Sequence, residues 1–363
     1  MLQRNVFVAL LLLLALSYAS QDSTNSTIPV ANISRPNLRT FSTPFLLKVL
    51  SKISSWSVFH QSSTVLKSNP LPASYDVRTV VDDCPSYEIL DQQQCGSCYA
   101  FAAVNVLGDY LCLRNEARVT LSPQHIVSCS DNLGCEGGTA PMTMDFIKKQ
   151  GVVVESDFPY VSGQADFGVP TCPNLSGKTH YKAPDTGILA GLPDMEERMM
   201  RMLVERGTLF GMYIIFSDFI DYSSGIYKQT VPDNKDTNMG GHAVAIRGYG
   251  EEDGQKYWLV ANSWGPTWGM EGYFKIAKGS NEATFETITA FIGPCPDDLV
   301  RFIYGACVPM KEILIVVGVV IFLLLCCVGC CAACLCCCFG RRKQPQNVPK
   351  MMETTTRNPI SHV

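Results

Sequence analysis

Gln92-Gln93-Gln94-Cys95-Gly96-Ser97-Cys98-Tyr99-Ala100-Phe101 is the stretch that decides the fold. It sets Cys98 at the start of Ser97–Leu113, a run apolar almost all round, which reads as a buried helix. Unpaired N–H groups and the macrodipole at a helix N-terminus favour a thiolate over a thiol. Gln92 lies six residues earlier, where its amide would meet an oxyanion beside the Cys98 backbone N–H. Gly96 lets the chain approach a neighbour closely.

A nucleophilic thiolate needs a proton-exchanging partner. The chain holds five histidines. His60 precedes a turn-like boundary, Asn69-Pro70-Leu71-Pro72, and His362 lies in the C-terminal tail. His180 sits in an irregular stretch, and His125 in a helix with nothing nearby to orient it. His242 remains, in Gly240-Gly241-His242-Ala243-Val244 at a strand start. Taken singly, such a histidine is more often structural; together with Cys98, Gln92 and Asn262 the catalytic reading dominates. Asn262, in the Asn262-Ser263-Trp264-Gly265 turn, would orient the imidazole through its amide, with Trp264 covering that hydrogen bond from water.

The elements around these residues fall in two groups. Ser97–Leu113, a helix opening at Ser122-Pro123, Met144–Gln150 and Asp194–Arg206 read as helices, the last two stopped by Gly151 and Gly207. Thr208–Phe216, His242–Gly248, Tyr257–Asn262 and Tyr273–Ala277 read as strands with Gly-rich turns between them. Helices first and strands second make an α+β pattern, two lobes with a cleft between them.

The flanks carry different signals. Arg4 and the apolar Val6–Leu16 form a secretory signal peptide, with small residues setting cleavage after Ala19, so 1–19 is assigned to it. Ile313–Phe339 has 27 residues without charge and is followed at once by Arg341-Arg342-Lys343, which predicts a transmembrane helix at 313–339 and a cytosolic tail at 340–363. The polar tail argues against a glycolipid anchor. The expected protein is a single-pass type I membrane protein of the secretory pathway, in a lysosome or vacuole or at the cell surface. Between the two signals, 20–70 is Ser/Thr-rich, 71–293 is a packed domain, and 294–312 is a membrane-proximal linker. The chain's net charge is −4 while the tail from Arg341 is basic, which leaves an acidic body with no basic stripe and excludes nucleic acid as partner. Asn25, Asn32 and Asn174 open glycosylation sequons, usable in that compartment. Of the 17 cysteines, eight crowd into Cys326–Cys338 and nine are spread through the body, in an oxidising environment. Subtracting Cys98 leaves eight, which spacing alone allows to pair in 105 ways.

The Cys-Gly-Ser-Cys-Tyr run, Gly134-Cys135-Glu136-Gly137-Gly138, His242 and Tyr257–Gly265, in this order, resemble the papain-like cysteine proteases. The resemblance covers about 71–293, and within the family it is closest to cathepsin B-like enzymes, whose mature start is similar to Leu71-Pro72-Ala73-Ser74-Tyr75-Asp76. It implies a papain-like two-lobed fold, a helical lobe and a β-barrel lobe with the active site in the cleft, and a propeptide at 20–70. It implies a Cys98–His242–Asn262 mechanism with Gln92 at the oxyanion, protein or peptide substrates, a monomer, and no metal or cofactor. Gly137 and Gly138 resemble the segment that pairs with extended substrate, and Trp264 joins them as a candidate substrate-binding residue. Laid against the family, Ile288 falls at the base of the S2 pocket, and a shift of two puts Glu286 there instead. The same resemblance suggests Cys95–Cys135, Cys84–Cys112 and Cys129–Cys172, which leaves Cys295 with Cys307. Cathepsin B carries an occluding loop with adjacent histidines. This chain has no His-His pair and a short Val161–Lys182 stretch, which favours an endopeptidase over an exopeptidase. The other alternative is a non-catalytic adhesion or binding protein on a protease scaffold.

Overall fold

The computed structural model describes residues 70–164, 168–315 and 317–321. The expected signal peptide, almost all of the propeptide, Asn25, Asn32, the cytosolic tail and most of the 313–339 span lie outside the described residues. Residues 310–315 and 317–321 are helical. No described helix is long and apolar enough to cross a membrane.

Helix α1, Cys98–Leu113, is the spine of the helical side, and 13 of its 16 residues are buried. A helix hydrophobic all round must be enclosed on every side. It is flanked by α2, Pro123–Cys129, and α3, Ala140–Lys149. Ser122 caps α2 by accepting the His125 N–H at 3.0 Å. The start of α3 lies four residues before the expected Met144, because Thr139 is its N-cap and Pro141 fills its first turn. Helix α4, Met195–Arg206, ends at Gly207, whose φ of 98° suits glycine.

The sheet has eight strands: β1 Tyr75–Asp76, β2 Thr186–Ala190, β3 Leu209–Phe216, β4 Ile226–Tyr227, β5 Asn238–Glu252, β6 Gln255–Ala261, β7 Tyr273–Ala277 and β8 Ile288–Ile292. Their order is β2-β8-β3-β5-β6-β7-β4, with β1 also paired to β5. All pairs are antiparallel except β4 with β7. Strand β5 divides the molecule through its alternation. Val244 and Ile246 enter an aromatic core with Tyr213, Phe219, Trp258, Phe274 and Phe285, while Ala243 joins the core built around α1.

On the α1 side of β5 also stands Arg247, fully buried against Asp109 of α1. Its Nε lies 2.9 Å from Asp109 Oδ2, its Nη1 2.6 Å from Tyr273 Oη, and its Nη2 donates to the Ser86 carbonyl. Thr208 Oγ1 donates to Asp109 Oδ2 at 2.5 Å. This ion pair ties the helical side to the sheet.

The structure joins Cys84 to Cys112, Cys95 to Cys135, Cys129 to Cys172 and Cys295 to Cys307, and Cys98 is the free cysteine among the described residues. The stretch 294–312, expected as a linker, is folded through Pro309. Strands β9, Leu299–Arg301, and β10, Cys307–Pro309, form an antiparallel hairpin closed by the last of these disulfides. Leu299 and Cys307 are buried in the aromatic core. Two arginine forks complete the attachment: Arg198 of α4 holds Asp298, and Arg301 holds Asp185 at 2.7 Å. Sequence spacing hid this because the hairpin's burial partners, α4 and β2, lie about 100 residues away.

Candidate active site

Cys98 is the first residue of α1, half-buried, with its Sγ accepting the Ala243 N–H at 3.4 Å. Burial pushes the thiol's pKa up, and the backbone N–H groups of Ala243, Tyr99 and Cys98 pull it back. Gly96 stands where its N–H meets the Cys135 carbonyl at 2.9 Å, and a side chain there would overlap that oxygen.

The Ala243 contact sets the neighbouring strand residue, His242, beside Cys98. His242 Nε2 lies 2.7 Å from Asn262 Oδ1. The Trp264 ring lies over the imidazole with centroids 5.1 Å apart, and the Tyr213 ring stands at 5.8 Å. Burial takes the imidazole pKa down to about 4, against the bond from Asn262. Asn262 directly follows β6 and is 1% exposed. Its Oδ1 also accepts the Ser263 N–H at 2.9 Å, while its Nδ2 donates to no group among the described residues.

Gln92 is tied to the same turn. Its backbone N–H donates to the Ser263 carbonyl at 2.8 Å, and Ser263 Oγ donates to its Oε1 at 2.6 Å. With Oε1 fixed, the amide nitrogen is committed in direction. It donates one hydrogen to the Cys95 carbonyl at 2.9 Å and keeps a second. Ser263 therefore links the turn that carries Asn262 to the Gln92 amide. It lies inside a quoted motif, but nothing in the sequence pattern assigned it that contact.

Gly138 spends neither its N–H nor its C=O on a hydrogen bond among the described residues, while the Gly137 carbonyl accepts the Leu133 N–H. Glu286 and Ile288, the two candidates for the S2 base, have different surroundings. Glu286 is 8% exposed and its carboxylate accepts Trp258 Nε1 at 2.9 Å, Gly279 N at 2.6 Å and Asn281 N at 3.0 Å. Ile288 is half-buried at the start of β8 against the α1 core. Gly211 pairs with Thr289, so one step along the register brings Met212 opposite Ile288, and Met212 pairs with Ala243 on its other side. Ile288, Met212 and Ala243 thus form an apolar row that ends at Cys98.

The other described histidines, His125 and His180, stand apart from this group. His125 Nδ1 accepts the Val153 N–H, and burial takes its pKa down to about 4. His180 packs against His125 with ring centroids 5.2 Å apart. Asn174 is exposed in the stretch after Cys172. No cluster of metal-ligating side chains occurs among the described residues.

A sequence model described as papain family cysteine protease matches residues 71–291. The chain is 38% identical over 226 residues to "Cathepsin B-like CP1" of Giardia intestinalis, covering 60% of this chain and 72% of that protein. It is 32% identical over 241 residues to a "Gut-specific cysteine proteinase" of Caenorhabditis elegans, with 60% and 72% covered. Among solved structures, procathepsin B S9 from Trypanosoma congolense superposes with a TM-score of 0.56 at 28% identity, over 63% of this chain and 79% of that one.

Proposed function

This chain belongs to the papain family of cysteine proteases and is a cathepsin B-like cysteine peptidase, and from that premise we propose how it works: Cys98 is the nucleophile, His242 the proton carrier and Asn262 its orienting partner. The observation that supports this most is the Ala243 N–H on Cys98 Sγ, with the His242 ring nitrogen Nε2 taken by Asn262 and the other left for the thiol. Burial drives each group alone toward its neutral form, so charge arises by proton exchange between them, each ion compensating the other.

Cys98 Sγ attacks the peptide carbonyl carbon and the proton passes to His242. The oxyanion is held by the Cys98 N–H and the second hydrogen of the Gln92 amide. Collapse breaks the C–N bond as His242 protonates the leaving amine. Water, giving a proton to His242, then attacks the thioester and releases the acid, restoring the thiol. Gly138 offers its free backbone groups to an extended substrate. A peptidyl epoxide should label the enzyme covalently, and Cys98→Ala should be neither labelled nor active. Retained turnover in that variant would refute the mechanism.

Specificity follows from the apolar row. An arginine at P2 would bring an unpaired charge against Ile288 and Met212, since Glu286 is already committed to three donors. Leucine, valine or phenylalanine gains about 1.5–3 kcal/mol from side-chain burial. Fluorogenic substrates with these residues should exceed Arg-Arg by about tenfold or more in kcat/KM. Equal cleavage of Arg-Arg would return Glu286 or another acid to the pocket. The lack of a His-His pair supports endopeptidase action, tested by cleavage of internally quenched peptides blocked at both ends.

The flanking segments complete the reading: a signal peptide at 1–19, a propeptide at 20–70, a catalytic domain from 71, glycan at Asn174 and a membrane anchor at 313–339. Removing 313–363 should release soluble, active enzyme from membranes, and a truncated chain that stays membrane-bound after signal cleavage would contradict the anchor.

A further inference from the structure

The loop from Gln92 to Cys98 must hold an amide and a backbone N–H at a fixed separation, and it is spanned inside by the Gln92 Nε2 bond to the Cys95 carbonyl and two backbone bonds, and tied from outside by the Cys95–Cys135 disulfide. Within it, Cys95 N–H reaches the Gln92 carbonyl at a long 3.4 Å, and Ser97 N–H meets the Cys95 carbonyl at 2.7 Å. Gln93 adopts a left-handed φ of 54°. Gln92 is anchored to the histidine side through both bonds to Ser263. Besides these and the amide's bond to the Cys95 carbonyl, a further anchor comes from a separate segment of the chain. Tyr160 Oη donates to the Gln92 carbonyl at 2.9 Å and lies 2.8 Å from Ser97 Oγ.

The hydrogens in this bridge can be assigned. A phenol has one, and a carbonyl only accepts, so the Tyr160 proton goes to Gln92 and Ser97 Oγ–H donates to Tyr160 Oη. Ser97 is fully buried and is the N-cap of α1, but its hydroxyl caps nothing. Its alternative acceptor, the Cys95 carbonyl, is at 3.5 Å. The side chain best suited to close the helix is thus turned to the tyrosine instead. Tyr160 itself is held at both ends. Its N–H donates to Glu155 Oε1 at 2.7 Å, and its ring stands edge-on to Phe101 of α1 with centroids 4.8 Å apart.

We propose that Tyr160 is a positioning residue of the oxyanion site: its hydroxyl bridges Gln92 and Ser97 and thereby fixes the Gln92 amide against the Cys98 N–H. The proposal rests on the oxyanion role given to Gln92 above. Tyr160→Phe keeps the ring against Phe101 and removes only the bridge. Because a displacement of about 1 Å at a reacting centre is felt strongly in rate, kcat should fall about tenfold with KM within twofold. Affinity for a peptide aldehyde, whose tetrahedral adduct carries the oxyanion, should fall in parallel. Alkylation of Cys98 by iodoacetamide, which forms no oxyanion, should keep its rate. Ser97→Ala should show the same pattern at smaller size, and it keeps the test alive if Tyr160→Phe does not fold.

Gln92→Ala separates this inference from its premise. It should lower kcat about 10²-fold, and adding Tyr160→Phe should then cost nothing more. If Gln92→Ala leaves kcat unchanged, the premise fails and the proposal with it. If Gln92→Ala is impaired but Tyr160→Phe and Ser97→Ala keep full kcat and aldehyde affinity, the bridge has no positioning role. A Tyr160→Phe loss that also slows alkylation, or that persists undiminished in the Gln92→Ala background, overturns the proposal as well.

Discussion

Helix α1 and strand β5 meet at two polar points, and the two are built on opposite terms. At one end Cys98 meets Ala243 beside His242, and at the other Asp109 pairs with Arg247. Eleven helical residues and four strand residues separate the points, about 16 Å along the helix and about 13 Å along the strand. The Arg247–Asp109 end is closed: both side chains are fully buried and every arm of the guanidinium finds a partner among Asp109, Tyr273 and Ser86. The Cys98 end is open. It has a thiol and an imidazole both pushed toward neutrality by burial. Beside them are an Asn262 Nδ2 and a buried Tyr213 hydroxyl that bond to no group among the described residues. Unpaired polar groups cost about 1–3 kcal/mol each, so this end is held by what surrounds it and the other end does the holding.

Cys98→Ala breaks the comparison most cleanly. Activity should vanish while the melting temperature stays near that of the wild type, because only a small polar group at the open end is lost. Asp109→Ala should do the reverse first. It strands a buried guanidinium and should remove about 3–5 kcal/mol of stability, read by denaturant unfolding. A double change to apolar residues of matching volume, Asp109→Leu with Arg247→Met, should recover most of that loss. If Asp109→Ala folds with wild-type stability, the pair does not hold the lobes. Asn262→Ala acts on orientation alone, since the amide takes no proton, and should lower kcat by about 10- to 100-fold. An unchanged kcat would remove Asn262 from the site.

The smallest expected effect is in pH. His242 and His125 titrate near 4 in the fold against an ordinary 6.5, so the unfolded chain binds more protons between these values. Their contribution is full above 6.5 and is lost as pH falls toward 4. Glu155, pushed up to about 7 by burial from an ordinary 4.5, works the other way, losing its contribution as pH rises from 4.5 to 7. Two histidines oppose one carboxyl, so the melting temperature should fall modestly from pH 6.5 to 4.5. Glu155→Gln should steepen that fall. A flat profile in both proteins would contradict these assignments.

What the sequence made legible follows the same division. Local signals located α1, α4 and the motifs around Cys98, His242 and Asn262, because nucleophile, caps and glycine stops act within a few residues. Contacts made through tertiary structure were not legible. Tyr160 reaches Gln92 across 68 residues, and Arg247 reaches Asp109 across 138. Arg247 did leave a trace, as a lone charge in the otherwise apolar Ala243–Gly250. Strand β8 is not legible because its partners, β2 and β3, lie about 80 to 100 residues upstream. Strand β5 starts four residues before His242 because Gly240 and Gly241 mask its extended backbone.

The hairpin closed by Cys295 and Cys307 bears on solubility. Strand β2 ends the sheet, and Ala306 bridges to Ile188 on its outer side. An uncovered edge offers unpaired N–H and C=O groups to any passing strand, which is how native sheets begin to aggregate. Residues 294–309 therefore act as an edge guard. A chain cut at residue 293, two residues past the end of the family match, would keep Cys98, His242 and Asn262 yet lose that guard and the core positions of Leu299 and Cys307. Such a fragment should fail as a precipitate rather than as a poor catalyst, and reducing conditions during folding should push the intact chain the same way.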